Sequence, residues 1–224
     1  MRQAVRLQVR LCKNKVCGLR FPMLEDQASD LRCPRCGSPT LLGTDPYEEH
    51  KPHLMVSRPG LPRMEVLLDN IRSIYNVGSI FRTSDGAGIS HLHLCGITPT
   101  PDNPRLKKTA LGADETIGWT HYRNGCAAAQ ALKAQGMRLW AIEGGDRSRP
   151  IHKTCLDYDD KTVVLVVGNE VCGVDPGILD QCEKVLAIPM RGIKTSLNAA
   201  VAFGIAVYLL RLLGVSYQKN TNGI

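Results

Sequence analysis

Thr162-Val163-Val164-Leu165-Val166-Val167, followed at once by Gly168-Asn169-Glu170, is the stretch on which the reading of this 224-residue chain turns. A run of β-branched and leucyl residues without a charge makes a strand buried on both faces. A half-exposed strand would alternate apolar with polar residues. Such strands belong to parallel sheets whose crossover helices cover both sides. Working outward, strands are expected at 64–69, 89–95, 137–142 and 184–188. Helices are expected at 76–87, 126–135, from Asp175-Pro176 to Cys182, and at 196–213. The last is apolar nearly all round and is expected to be deeply buried. In the 89–95 strand, Leu92 and Leu94 share one face. His91 and His93 share the other, where they are expected to meet solvent or a neighbouring helix rather than a metal. The pattern is an α/β fold with a mainly parallel, doubly wound sheet.

Ligands of such sheets bind beyond the carboxyl ends of the strands. Three segments fall there: Glu143-Gly144-Gly145, then Gly168-Asn169-Glu170 with Gly173, then Pro189-Met190-Arg191-Gly192. Their glycines let a ligand meet bare backbone N–H and C=O groups. Ordinary turn chemistry is the alternative, but three such turns at one sheet edge favour a ligand pocket. No G-x-G-x-x-G follows the first strand and no G-x4-G-K-[ST] occurs, so a standard dinucleotide fold or P-loop is disfavoured.

Apolar residues are 43% and charged residues 22%, which excludes a largely disordered chain. The longest uncharged stretch, 195–210, is closed by Lys194 and Arg211 and falls short of the roughly 20 residues of a membrane span. No secretory signal is visible in the first eleven residues, so a soluble, cytoplasmic protein is expected. Residues 1–63 carry eleven Lys/Arg against six Asp/Glu, whereas 64–224 carry seventeen against fifteen. A basic end on a nearly neutral body suggests a polyanionic partner, nucleic acid before others. Residues 97–118, rich in Pro, Gly and Lys, read as a long connection whose Arg105, Lys107 and Lys108 offer an RNA-facing surface.

Nine cysteines, an odd number, argue against a disulfide framework. Cys12 and Cys17, with Cys33 and Cys36, form C-x4-C, fifteen residues, then C-x2-C. Paired thiolates on two tight turns suit a closed tetrahedral zinc site. A redox C-x2-C is the weaker reading, because no βαβ unit surrounds Cys33. A module this short needs metal to fold. The remaining cysteines, 95, 126, 155, 172 and 182, read as small buried apolar side chains. The expected organisation is a zinc ribbon at 1–42 that binds RNA, a Pro-rich linker at 43–63 with solvated His50 and His53, the α/β domain at 64–214 and a tail at 215–224.

Three motifs then stand in order. They are Asn76-Val77-Gly78-Ser79-Ile80-Phe81-Arg82-Thr83, Gly168-Asn169-Glu170-x-x-Gly173 after its strand, and Ile188-Pro189-Met190-x-Gly192-x3-Ser196-Leu197-Asn198. Together they resemble the SpoU/TrmH-like branch of the SPOUT RNA methyltransferases over residues 64–214. The resemblance implies a C-terminal trefoil knot, S-adenosylmethionine held in it, a homodimer, and methylation of a ribose 2′-oxygen in tRNA or rRNA. It implies a catalytic cluster of Asn76, Arg82, Glu170, Ser196 and Asn198. It places Gly168, Ile188 and Leu197 at the cofactor, with Gly192, Met190, Glu143 and Gly144 lining the same pocket. Val171-Cys172 departs from the smaller or more polar residues common in relatives. Residues 1–63 lie outside the resemblance.

The chemistry suits these residues. A 2′-hydroxyl must be aligned and must lose its proton. Asn76, Ser196 and Asn198 are neutral positioning groups. Arg82, nearly two helical turns after Asn76, is read as pointing to the same side. With a pKa above ~12 it serves better as a phosphate clamp stabilising the developing alkoxide than as a base. Glu170 reads as a holder of Asn76 or Arg82, with a helix N-terminal charge as its alternative. Arg191 and Lys194 would add phosphate contacts. Two other functions stay open: a SPOUT base methyltransferase, which alkaline hydrolysis separates from a ribose enzyme, and a non-catalytic RNA-binding or ribosome-assembly factor, which failure to bind the cofactor would favour.

Overall fold

The computed structural model describes residues 6–27, 31–48, 62–154 and 161–221. The chain divides into two compact units, Met1–Ser57 and Arg58–Ile224. His50, His53 and Cys155 lie outside the described residues.

The first unit is an antiparallel sheet of β1 (Arg6–Cys12), β2 (Arg20–Leu24), β3 (Thr40–Leu42) and β4 (Tyr47–Glu48), all paired to β1. β4 carries the sheet into the stretch read as linker. Two tight turns carry the cysteine pairs. The Asn14 carbonyl accepts from the N–H groups of Cys17 and Gly18, and the Cys33 carbonyl accepts from Gly37. Both glycines are left-handed, at φ 57 and 70. Among the described residues only Gln8, Arg10, Cys12, Cys33 and Thr40 are buried in this unit. The Arg10 guanidinium donates to the hydroxyl and carbonyl of Thr40 at 3.2 and 3.1 Å. Among the described residues of this unit no aliphatic side chain is buried.

The second unit is a seven-stranded, wholly parallel sheet. Its strands are β5 (Met64–Asp69), β6 (His91–Cys95), β7 (Gly118–Tyr122), β8 (Arg138–Ile142), β9 (Arg149–Pro150), β10 (Val163–Val167) and β11 (Lys184–Ala187), in the order β7-β6-β5-β10-β8-β11-β9. β10 is central and every residue of it is buried. Val163, Leu165 and Val167 belong to one core with α1 (Ile74–Ala87) and α6 (Ala199–Thr221). Val164 and Val166 belong to the other, with α4 (Gly125–Ala134) and α5 (Pro176–Leu179). Each fully buried valine contributes about 1.5 kcal/mol or more by leaving water. No helix among the described residues is long and apolar enough to cross a membrane.

Several expectations need correction. The 97–118 connection contains two short helices, α2 (Pro104–Ala110) and α3 (Ala113–Thr116). Asn103 caps α2 from the Arg105 N–H, with Pro104 in the first turn, a start signal present in the sequence. β7 follows them as an edge strand. The helix opened by Asp175 ends after one turn, at Leu179. His93 does share a face with His91 but does not meet solvent. It is 4% exposed, and its Nε2 lies 2.7 Å from Glu65 Oε2. Cys172 is exposed rather than buried.

α6 departs most. Phe203, Ala206, Val207 and Leu210 are fully buried, but Val201, Ile205, Tyr208 and Leu212 are 51, 37, 44 and 62% exposed. They recur every three or four residues along the helix, so they form one stripe. An all-apolar helix can have two covered faces, and the described residues cover one of them.

Candidate active site

A cavity of about 250 Å³ opens at the carboxyl ends of β8, β10 and β11. Its walls are Ile142, Glu143 and Gly144 after β8, then Val167 to Glu170 with Gly173 after β10. Ile188 and Met190 follow from β11, and Ser196 and Leu197 precede α6. The cofactor residues expected from the sequence therefore converge, except Gly192, which does not line the cavity. The loop after β10 folds back on itself, with Asn169 and Gly173 exchanging both backbone hydrogen bonds at 3.0 and 2.9 Å. A Cβ on Gly168 would lie 2.2 Å from the Gly173 carbonyl carbon and the Val174 nitrogen, so only glycine fits.

Beside this cavity runs a chain of side-chain hydrogen bonds. Asn198 Nδ2 donates to Asn76 Oδ1 at 2.9 Å, and Asn76 Nδ2 donates to Glu170 Oε1 at 2.9 Å. A carboxylate only accepts, so the Asn76 amide can face one way only, and the Asn198 amide follows. Asn198 Oδ1 also accepts from the N–H groups of Ala200 and Val201, making it the N-cap of α6. The helix thus begins at Ala199 and not at Ser196. Glu170 is held in turn by the backbone N–H groups of Arg72 and Ser73, both at 2.9 Å. Partial burial favours its protonated form. Those two backbone donors, with the Asn76 amide, outweigh burial and hold the carboxyl below its ordinary value.

Arg82 does not join this chain. It lies exposed in a second, open cavity of about 430 Å³ with Asp85, Leu111, Gly112 and Thr116. Six residues at about 100° each leave Arg82 and Asn76 some 120° apart around α1, so the same-side reading was wrong in its helical arithmetic. Sequence reasoning assigned no role to the Asn169 side chain. Its amide donates to the Asn70 carbonyl at 2.6 Å, and its oxygen accepts from Val171 and Cys172 at 2.9 and 3.1 Å. Glu143 is also engaged: its carboxylate accepts from the N–H groups of Gly144 and Val174, both at 3.0 Å.

In the first unit the ligand sulfurs of Cys12, Cys17, Cys33 and Cys36 all lie within 4.8 Å of one another. The closest pairs are Cys12 with Cys36 at 3.5 Å and Cys17 with Cys33 at 3.7 Å.

A parallel α/β sheet with glycine-rich turns and a polar cluster around a cavity at its carboxyl edge is the frame of a small-ligand-dependent enzyme. Residues 63–208 match the model of the SpoU rRNA Methylase family, and the chain belongs to that family. It is 30% identical over 161 residues to a 23S rRNA (guanosine(2553)-2′-O)-methyltransferase of Bacillus subtilis, covering 71% of this chain and 62% of that protein. It is 29% identical over 147 residues to a tRNA (guanosine(18)-2′-O)-methyltransferase of Thermus thermophilus, covering 66% and 73%. Among solved structures it is similar to an AdoMet-bound rRNA methyltransferase from Sinorhizobium meliloti. That match has a TM-score of 0.62 at 30% identity, over 67% of this chain and 56% of that one. The chain thus spans less than two thirds of the Bacillus relative.

Proposed function

We propose that this protein transfers the methyl group of S-adenosylmethionine to a ribose 2′-oxygen of tRNA or rRNA. The observation that carries this reading is the Asn198–Asn76–Glu170 hydrogen-bond chain beside the strand-edge cavity. The cavity fits the cofactor's chemistry. Ile142, Ile188 and Leu197 offer apolar walls for a flat base, and at Gly144 and Gly168 no side chain stands between the backbone and a ligand. When bound, S-adenosylmethionine supplies a methyl on sulfonium sulfur, whose bond to carbon breaks as the carbon–oxygen bond forms. Asn76, its amide direction set by Glu170 and Asn198, orients the 2′-hydroxyl for in-line approach. Ser196, on the cavity wall, adds a second polar contact. Arg82 has no hydrogen bond or ion pair among the described residues, and we assign it to an RNA phosphate. The proton leaves to water or a phosphate oxygen, since no side chain of the chain Asn198–Asn76–Glu170 is a free base.

The four cysteines hold one Zn²⁺. Tetrahedral ligation at about 2.3 Å places sulfurs roughly 3.8 Å apart, close to the spacing of the two nearest pairs. We read residues 1–42 as a zinc ribbon that grips RNA together with Arg105, Lys107, Lys108, Arg191 and Lys194. Residues 43–63 link it to a methyltransferase domain at 64–214. Val201, Ile205 and Tyr208 of α6, which the described residues leave exposed, support a homodimer through that helix. The connection from β8 to β9 straddles β11, which lies between them, and this supports a knotted C-terminal segment.

The test is transfer of radiolabelled methyl to separated tRNA and rRNA from cells lacking the gene. Alkali-resistant label in one pool supports the reading. No label in either pool, with no S-adenosylmethionine binding, contradicts it.

A further inference from the structure

The end of β5 carries a carboxylate with no part in the reaction as described. Asp69 is 2% exposed and has no cation at ion-pair distance among the described residues. Its Oδ1 accepts from Asn70 Nδ2 at 2.8 Å, and its Oδ2 accepts from the backbone N–H of Asp175 at 2.9 Å. The start of α4 closes over it, since a Cβ on Gly125 would lie 3.1 Å from Asp69 Oδ1. Burying a carboxylate this deeply is unfavourable, and burial raises its pKa against the pull of both donors. A neutral, apolar strand end would be easier to fold. The carboxylate is thus explained by what it holds.

It holds the loop that follows β10. In the sheet β10 lies between β5 and β8. The loop's successive amides at Val174 and Asp175 are received by two carboxylates, Glu143 at the end of β8 and Asp69 at the end of β5. The start of the same loop is tied to β5 as well, through Asn169 to the Asn70 carbonyl. Between these ties lies Glu170, which aims Asn76. Gly168, at the head of the loop, is cavity wall. A shift of this loop would move the cavity wall and the Asn76 anchor together.

We propose that Asp69 is a positioning residue for methyl transfer: it fixes the loop after β10 so that the cofactor wall and the Asn76 hydrogen-bond chain stand in one register. The proposal rests on the methyltransferase reading. An acceptor-only group is needed because both atoms facing Asp69 belong to donors. In Asp69→Asn one of them meets an NH₂ instead, at unchanged side-chain size.

The full-length Asp69→Asn protein is compared with wild type by single-turnover methyl transfer, RNA binding and hydrogen exchange of the peptide covering 173–176. The expected result is a tenfold or greater fall in the single-turnover rate, RNA affinity within about twofold of wild type, and at least tenfold faster exchange at 173–176. A wild-type rate overturns the proposal, whatever the exchange. So does a slow rate with unchanged exchange, because Asp69 would then act otherwise than through the loop. Asn70→Gly keeps the left-handed backbone, φ 55, and removes the amide donor to Asp69 together with the acceptor of the Ile97 N–H, a loss followed by its own exchange at 96–98. It is expected to shift rate and exchange in the same directions by a smaller factor, and it decides the matter if Asp69→Asn does not fold. Should wild type transfer no methyl, the methyltransferase reading fails on its own. Exchange and S-adenosylmethionine affinity in Asp69→Asn then still report whether Asp69 sets the loop.

Discussion

Asn198 Nδ2 lies 2.9 Å from Asn76 Oδ1, although 122 residues separate them in the chain. One amide therefore performs two tasks: its oxygen caps α6 and its nitrogen aims Asn76. The tasks separate by substitution. Asn198→Asp keeps a capping oxygen but turns a second oxygen toward Asn76 Oδ1. Turnover is expected to fall tenfold or more while stability in urea changes by less than about 1 kcal/mol. Asn198→Ala loses the cap too and is expected to cost about 1 kcal/mol besides the activity.

Glu170 gives a pH signature. Its folded pKa lies below the ordinary 4.5, so its stabilisation is present above that value and is lost as pH falls through the lowered one. Glu170→Gln presents an NH₂ to one of the backbone donors and is expected to be less stable than wild type at pH 7. Urea unfolding from pH 7 down to below 4.5 should show the gap holding and then narrowing. A gap that widens on acidification contradicts the assignment.

The first unit has five buried side chains among its described residues, two of them cysteines. Its folding should therefore depend on metal. Elemental analysis is expected to find about one zinc per chain. Chelation, or Cys33→Ser, should abolish a low-temperature unfolding transition and leave the transition of residues 58–224 in place. An unchanged first transition after zinc removal contradicts the metal-dependent core.

The α6 stripe predicts self-association. Ile205→Glu or Val201→Lys places a charge on the exposed face without touching buried Phe203 or Val207. Sedimentation equilibrium should show a dimer in wild type and a monomer in either variant. A monomeric wild type rules the dimer out.

Much of the second unit was legible because its signals are local. The continuous apolar run of β10, the turns at Gly168 and Gly144, and the motif around Asn198 each report their own neighbourhood. What escaped depends on distance. Asp69 reads as an ordinary strand-end residue until Asp175, 106 positions later, brings its N–H to it. The exposure of α6 escaped because apolar content says that a face will be covered, not by what. Two misses were avoidable. Asn103-Pro104 is a helix start in plain view, and the angle between Asn76 and Arg82 follows from the helical repeat.

In the proposed reaction, ribose methylation is organised by Asn76. The most direct test incubates wild type and Asn76→Ala with S-adenosylmethionine and unmodified tRNA or rRNA, then digests the RNA and identifies methylated nucleosides by mass spectrometry. The expected result is a 2′-O-methylnucleoside with wild type and a hundredfold or greater loss with Asn76→Ala at unchanged cofactor affinity. A base-methylated nucleoside, or an Asn76→Ala protein as active as wild type, would contradict it.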